Sequence, residues 1–401
     1  MKIVSRKYLL PLNFIIFNIC RLIPCRNKKL WVFGAHAGNK FDDNSRFLFE
    51  YVNKNKDRGI RPVWLAYDRK TIEQLKKDGY EAYNYRSIKG IVTSFRAGVA
   101  FYTHSLYDLG AIPLVGGAKI VALWHGVGFK RIYNAKYSGW KLTAKKIIDK
   151  LFTRTYRNVT IATSEYTKKQ WAEAFNVKMR NIYITGQPRN DVFRKETKKN
   201  ELLKETSIDI NRRIVLFMPT YRSSAQSKGT IQSQLNDLFN SIELSNVLDR
   251  MHCVLVVKLH PLTPFVYLPK RSNFMVLSYE SIDCNQELLS IADILITDYS
   301  SCFVDFALTK RPIIFYQPDY EEYIKYSGRN EKEFEEFAKL NIAHTPEELA
   351  CKLITPDNNV SLKANEIFEA AEIRNTCYCS NVYKLIIKLL KLDYIKNEFQ
   401  C

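Results

Sequence analysis

Acidic residues are missing where the chain begins: residues 1–29 hold seven Lys or Arg and no Asp or Glu. The whole chain is short of acid too, with 41 Asp+Glu against 61 Lys+Arg in 401 residues, a formal net charge of +20. Long apolar runs are also lacking. Nothing approaches the ~18–20 uninterrupted apolar residues of a membrane-spanning helix, which excludes a polytopic helical membrane protein. Internal repeats and low-complexity tracts are absent, so solenoid architectures fall away. The nine cysteines form no Cys-x-x-Cys pair and no cluster with zinc-ligand spacing. Scattered in this way they read as reduced thiols and favour the cytosol over an oxidising compartment. No Asp-x-Asp motif occurs, so no tightly bound cofactor or metal is expected, with Mg2+ left open. What remains is an ordinary globular composition, 46% hydrophobic and 25% charged, in a length that suits two or three domains.

The basic excess is uneven. The apolar stretch Tyr8 to Cys20 lies between basic flanks, but Arg21, Pro24 and Arg26 follow it where a signal peptide would have a small-residue cleavage site. Residues 1–29 are therefore expected to form a membrane-associating segment lying in the interface, with a helix packed on the domain as the competing reading. A second basic segment, 130 to 157, carries nine Lys or Arg and one acid. Its apolar residues recur at helical spacing, which predicts an amphipathic helix with a cationic face over 138–156. That face suits an anionic membrane surface or an anionic polymer, or is simply solvated. Nucleic acid is not expected, because no RNA-binding strand motif and no helix-turn-helix signature accompanies the charge.

The rest alternates short apolar strands with helical patterns. Leu30–Ala35, Pro62–Ala66, Val99–Tyr102, Lys119–Leu123, Val159–Ala162 and Ile182–Thr185 read as strands buried on both faces. After a polar stretch over 194–213, read as a linker, strands recur at Ile214–Met218, Cys253–Lys258, Phe274–Leu277, Ile294–Thr297 and Ile313–Tyr316. Alternation of this kind predicts an α/β protein with two doubly wound parallel-sheet domains facing a cleft, over 30–193 and 214–401. A last helix, Asn381–Leu392, is expected to pack back near the first domain.

In open parallel sheets a ligand sits beyond the carboxyl ends of the strands, so the strand-end loops are the place to look for chemistry. The fourth strand runs into Trp124-His125-Gly126-Val127-Gly128-Phe129-Lys130. There the glycines let backbone approach a ligand, and an imidazole with a pKa near ~6.5 suits a general base. His36 and His104 also follow strands but lack such company, and His252 and His344 read as structural. Another loop, Gly186-Gln187-Pro188-Arg189-Asn190-Asp191, offers the planar fork of Arg189 to phosphate, unless Asp191 claims it. In the second half Pro219 and Thr220 follow one strand. Lys258 ends the next and runs into Leu259 and His260. Ser300 and Ser301 open a helix that carries Asp305. Serines at a helix start are either plain caps or a place for a phosphate. With His260 and Thr220 at neighbouring strand ends, they point to a nucleotide-diphosphate site.

These blocks, W-H-G-x-x-x-K, G-x-P-R-N-D, P-T-Y-R, K-L-H-P and T-D-Y-S-S-x-x-x-D-F-A-x-x-x-R-P-I-I-F-Y, together resemble the CDP-glycerol glycerophosphotransferases of teichoic acid and capsule synthesis. Those enzymes often have Thr-Pro after His-Gly, where this chain has Val127 and Gly128. The resemblance implies a GT-B type fold and transfer of glycerol phosphate from CDP-glycerol to a lipid-linked saccharide or polyol-phosphate acceptor, with release of CMP. It implies a peripheral enzyme at the cytoplasmic face of the membrane. His125 would take the acceptor proton, while His260, Arg189, Ser300 and Ser301 would hold the diphosphate. Asp305 would bind a donor hydroxyl. A CDP-ribitol donor, or a nucleotide-sugar transferase of the same fold, stays open.

Overall fold

Runs of Val, Ile, Phe and Trp too short for helices become the strands of two sheets. The computed structural model describes residues 10–22, 24, 26–55, 59–112, 114–127, 132–151, 157–195, 199–204, 206, 208–222, 230–260, 263, 266, 268–269, 271–277, 282, 284–327 and 332–392. The chain forms two units, one of residues 1–125, 132–191 and 369–401, the other of 126–131 and 192–368.

The first unit holds β1 (Asn27–Gly34), β2 (Arg61–Ala66), β3 (Ala82–Asn84), β4 (Ala97–Tyr102), β5 (Lys119–Ala122), β6 (Val159–Ala162) and β7 (Ile182–Ile184). All pair in parallel, in the order β3-β2-β1-β4-β5-β6-β7. The period of two along β1 sends Trp31 and Phe33 into one core and Leu30 and Val32 into the other. Both faces are thus covered, which is why the strand reads as a continuous apolar run.

Residues 1–9 of the N-terminal segment lie outside the described residues, and the helix Leu10–Arg21 that follows packs on the first unit. Phe17 and Cys20 are buried against the sheet, and a side chain at Gly116 would sit 2.0 Å from the Phe17 carbonyl oxygen. Its other side leaves Leu12, Ile15, Ile19 and Leu22 exposed. The final helix, Tyr378–Leu390, starts earlier than predicted and enters the core of the first unit through Val382, Tyr383, Ile386 and Ile387. Six cysteines, Cys20, Cys253, Cys284, Cys302, Cys351 and Cys379, are free thiols. Cys377 is disulfide-bonded, so uniform reduction does not hold there.

The second unit holds β8 (Arg213–Met218), β9 (Cys253–Lys258), β10 (Phe274–Leu277), β11 (Ile294–Thr297), β12 (Ile313–Tyr316) and β13 (Ile342–Ala343). They form a parallel sheet in the order β10-β9-β8-β11-β12-β13. The stretch expected to be a linker belongs to this unit and includes a short helix, Lys199–Leu203.

Candidate functional site

Each sheet reverses its strand order once, between β1 and β4 in the first unit and between β8 and β11 in the second. A doubly wound sheet opens a crevice at such a point, because the connections leave it in opposite directions.

In the first unit His36 follows β1, His104 follows β4 and His125 follows β5. Their rings form a column, with centroids 4.5 Å apart for His36 and His104 and 4.3 Å for His104 and His125. Trp124 closes the column at 4.1 Å from His125. The backbone turns out of β5 on left-handed conformations, φ 58° at Trp124 and 140° at Gly126. Burial, reinforced by the neighbouring His104, pushes the His125 imidazole down to about 3. The ring is therefore neutral at neutral pH, well below the value expected from sequence, because removing an imidazolium from water disfavours the charged form. His125 Nδ1 is buried and finds no hydrogen-bond partner among the described residues.

The column is fixed by buried polar side chains. Asp108 Oδ2 accepts from the N–H of Thr103 and of His104, and its Oδ1 accepts from Ala37 N–H, so one carboxylate holds the ends of β1 and β4. Asn44 Nδ2 donates to the Trp124 carbonyl at 2.8 Å, while its Oδ1 accepts from Arg189 N–H at 3.0 Å. That amide ties the loop after β5 to the loop after β7.

Arg189 does not pair with Asp191. Its Nη1 lies 3.1 Å from Asp43 Oδ1, so part of the fork offered to phosphate is engaged inside the protein. Asp191 instead accepts from the N–H groups of Tyr378 and Cys379, both at 2.8 Å, and caps the final helix. Gly186, at φ 76°, is required twice over: a side chain there would lie 2.1 Å from the Tyr378 ring. Gly126 and Val127 are buried, while Gly128 and Phe129 lie outside the described residues.

In the second unit the loop after β8 meets the loop after β11. Thr220 Oγ1 donates to Asp298 Oδ1 at 2.6 Å, and its N–H donates to the same carboxylate. Arg222 is buried between Asp298 (2.9 Å) and Asp319 (2.9 Å), with its guanidinium over the rings of Tyr299 and Tyr323. Ser300 and Ser301 are half-buried at the start of the helix Cys302–Ala307, and Ser301 makes no side-chain cap bond. His260 is exposed, with Tyr221 5.2 Å away. Three expected contacts turn inward. Lys258 Nζ donates to the Ile282 carbonyl at 2.8 Å, Leu259 is in the core, and buried Asp305 accepts from Gln286 Nε2 at 3.3 Å. Pro219 is buried at the end of β8.

With this geometry in place, the similarity to known proteins is informative. Residues 15–378 match the model of the CDP-glycerol:poly(glycerophosphate) glycerophosphotransferase family. The chain belongs to this family. It is thus an enzyme of the glycerophosphotransferase class that the motifs imply. A teichoic acid poly(glycerol phosphate) polymerase of Bacillus spizizenii is 31% identical over 79% of this chain and 81% of its own. A teichoic acid glycerol-phosphate transferase of Staphylococcus aureus is 26% identical over 91% and 92%. The solved structure of the wall teichoic acid polymerase TagF, as an H548A variant, shares the fold with a TM-score of 0.75. It is 19% identical and covers 97% of this chain and 96% of that one. The glycerophosphotransferase fold here is accordingly of the GT-B type.

Sequence reasoning weighed His36 and His104 but set them aside, and it gave no role to Asn44 or to the pair Asp298 and Asp319. Histidines at the ends of strands that become sheet neighbours were the available signal, but neighbour order is not written in any one segment.

Proposed function

We propose that this glycerophosphotransferase moves glycerol phosphate from CDP-glycerol to a hydroxyl of a membrane-linked saccharide or polyol-phosphate acceptor, releasing CMP, in teichoic acid or capsular polymer synthesis. The observation that carries the residue assignment is geometric: a half-buried His125 ring at a strand end, with its Nδ1 finding no hydrogen-bond partner among the described residues. An imidazole kept neutral accepts a proton from the acceptor hydroxyl as that oxygen attacks the phosphorus of the glycerol phosphate. The bond from that phosphorus to the bridging oxygen breaks, and CMP leaves with the electron pair. Such a reaction asks for alignment and charge stabilisation more than for covalent catalysis.

On the second unit, Thr220, His260, Ser300 and Ser301 surround the strand-order reversal and are assigned to the donor diphosphate. Asp298 and Arg222 act as positioning residues. They hold the two donor loops in register.

Among the described residues no helix is long and apolar enough to cross a membrane. We assign the enzyme to the cytoplasmic face of an anionic membrane through two surfaces. One is the exposed Leu12, Ile15, Ile19 and Leu22; the other is the helix Gly139–Leu151, which exposes Trp140 (76%) and Ile147 (55%) among lysines. Apolar side chains beside basic ones are the pattern of an interfacial helix.

The test is product release. The protein is incubated separately with CDP-glycerol, CDP-ribitol and UDP-sugars together with a lipid-linked acceptor, and free nucleotide is measured. CMP from CDP-glycerol alone supports the reading. Faster release from CDP-ribitol, or UDP from a sugar donor, replaces it.

A further inference from the structure

The crevice between β1 and β4 contains a set of side chains to which the transfer reading assigns no direct step. Among the described residues, His36, Asp43 and His104 bring one potential ligand atom each to within 4.8 Å of one another. They come from three segments: the loop after β1, the first residue of the helix Asp43–Lys54, and the loop after β4. We propose that these three residues form a site for a divalent cation of the borderline class that imidazole favours, such as Zn2+ or Co2+.

The hydrogen bonding around the site suits a ligand role. Thr103 Oγ1 donates to Asp108 Oδ2 at 3.2 Å and so accepts from His104 Nδ1, 2.8 Å away. That leaves the His104 lone pair on Nε2. An imidazole whose other nitrogen is tied to a hydroxyl and carboxylate is the outer-shell arrangement that orients a metal-binding histidine. Asp43 Oδ1 takes the N–H of Asn44 and Arg189 Nη1, whereas Oδ2 accepts no hydrogen bond among the described residues. A second carboxylate stands behind the first, with Asp42 Oδ2 3.8 Å from His36 Nε2.

Charge and access point the same way. Three carboxylates, Asp42, Asp43 and Asp108, act on the cluster against two cations, Lys40 and Arg189, a balance that favours a cation over an anion. Both histidine side chains are 33% exposed, so an ion has a way in and the rings have room to close on it. His36 and Asp43 both hold left-handed backbone, φ 47° and 62°. Non-glycine residues adopt that conformation at a cost, and it persists where the surroundings fix it, commonly at ligand sites.

Two histidines and one carboxylate suit zinc, cobalt and iron rather than magnesium, whose ligands are oxygens. Three protein ligands also leave a coordination position open. If the ion takes an acceptor oxygen there, that use rests on the transfer reading; the binding itself does not.

The full-length protein, stripped with a chelator, is titrated with Co2+ by visible absorption and with Zn2+ by calorimetry. No nucleotide or acceptor is present, so failure here leaves the transfer reading intact. One equivalent is expected to bind. Affinity should fall at least ~10-fold in His36→Ala and in His104→Ala and stay unchanged in His252→Ala, a histidine on the second unit. Zn2+ should raise the melting temperature of the wild type and of His252→Ala but not of the two site variants. Should either site variant fail to fold, His36→Gln and His104→Gln take its place. Absence of saturable binding, or equal affinity in all variants, overturns the site.

Discussion

Replacing His125 with Asn tests the environment of the proposed base without invoking catalysis. The folded protein holds this imidazole at about 3, through burial first and His104 second. In the unfolded chain the same group titrates near ~6.5. Between those values the unfolded state binds more protons at this position, so stability rises with pH across the window and is lost as pH falls. Taken down to about pH 4, the linkage amounts to at most roughly 3 kcal/mol, reduced by whatever solvent reaches a half-buried ring. Asn cannot titrate and carries none of this penalty. Relative to wild type, His125→Asn should therefore gain up to about 3 kcal/mol on moving from about pH 7 to about pH 4. All five tryptophans lie in the first unit, so urea unfolding followed by tryptophan fluorescence reports on the unit that contains the substitution. A stability difference that stays constant across that range would show that the ring titrates normally, and the account of its neutrality would fail with it.

Four further outcomes are expected. His125→Ala should lower kcat by about 10²–10⁴ with CDP-glycerol binding retained, and a variant keeping more than about a third of its turnover would make the residue structural. Asn44→Ala strands the Trp124 carbonyl and the Arg189 N–H, costs roughly 1–3 kcal/mol in urea unfolding, and should depress kcat while leaving donor affinity alone. Arg222→Met leaves Asp298 and Asp319 buried without their partner, so a loss of about 3–5 kcal/mol is expected by denaturant unfolding of the second unit; a change under about 1 kcal/mol would mean the triad is dispensable. Sedimentation with vesicles should require anionic lipid, weaken in high salt and weaken again when residues 1–29 are removed, and equal binding to neutral vesicles would end the membrane assignment.

Strand positions were legible because buried parallel strands are continuous apolar runs, and five of the observed strands coincide with the expected segments end to end. The edge strands β3 and β13 were not, since two or three residues with mixed exposure give no run to detect. Ser300, Ser301, His125 and Arg189 were legible as reactive types after strands. Their partners were not. Arg189 finds Asp43 rather than Asp191, because Asp191 is drawn to the exposed N–H groups of a helix nearly two hundred residues later. Lys258 was expected among the substrate-site residues from its place in Lys-Leu-His-Pro, yet the alternation of the strand turns it inward to a carbonyl. The histidine column around His125 was not legible, because His36 and His104 come from strands that sequence order separates.

Both units solve one problem in the same way. A strand-end loop lacks ladder hydrogen bonds, so something else must hold its backbone in place. In the first unit Asp108 joins the loops after β1 and β4, and Asn44 joins those after β5 and β7. In the second, Asp298 receives the loop after β8, and Arg222 carries the connection on to Asp319 beyond β12. Each clamp is a buried polar side chain that reads the backbone or a charge of another loop. Such groups are expensive to leave half-satisfied, which makes the arrangement close to all-or-none. Phosphoryl transfer gains chiefly from donors fixed in advance at the places where charge develops. Positioning residues of this chain are therefore expected to affect rate without touching substrate. Exchanging Asn44 or Asp298 should damage turnover nearly as much as exchanging the groups they hold.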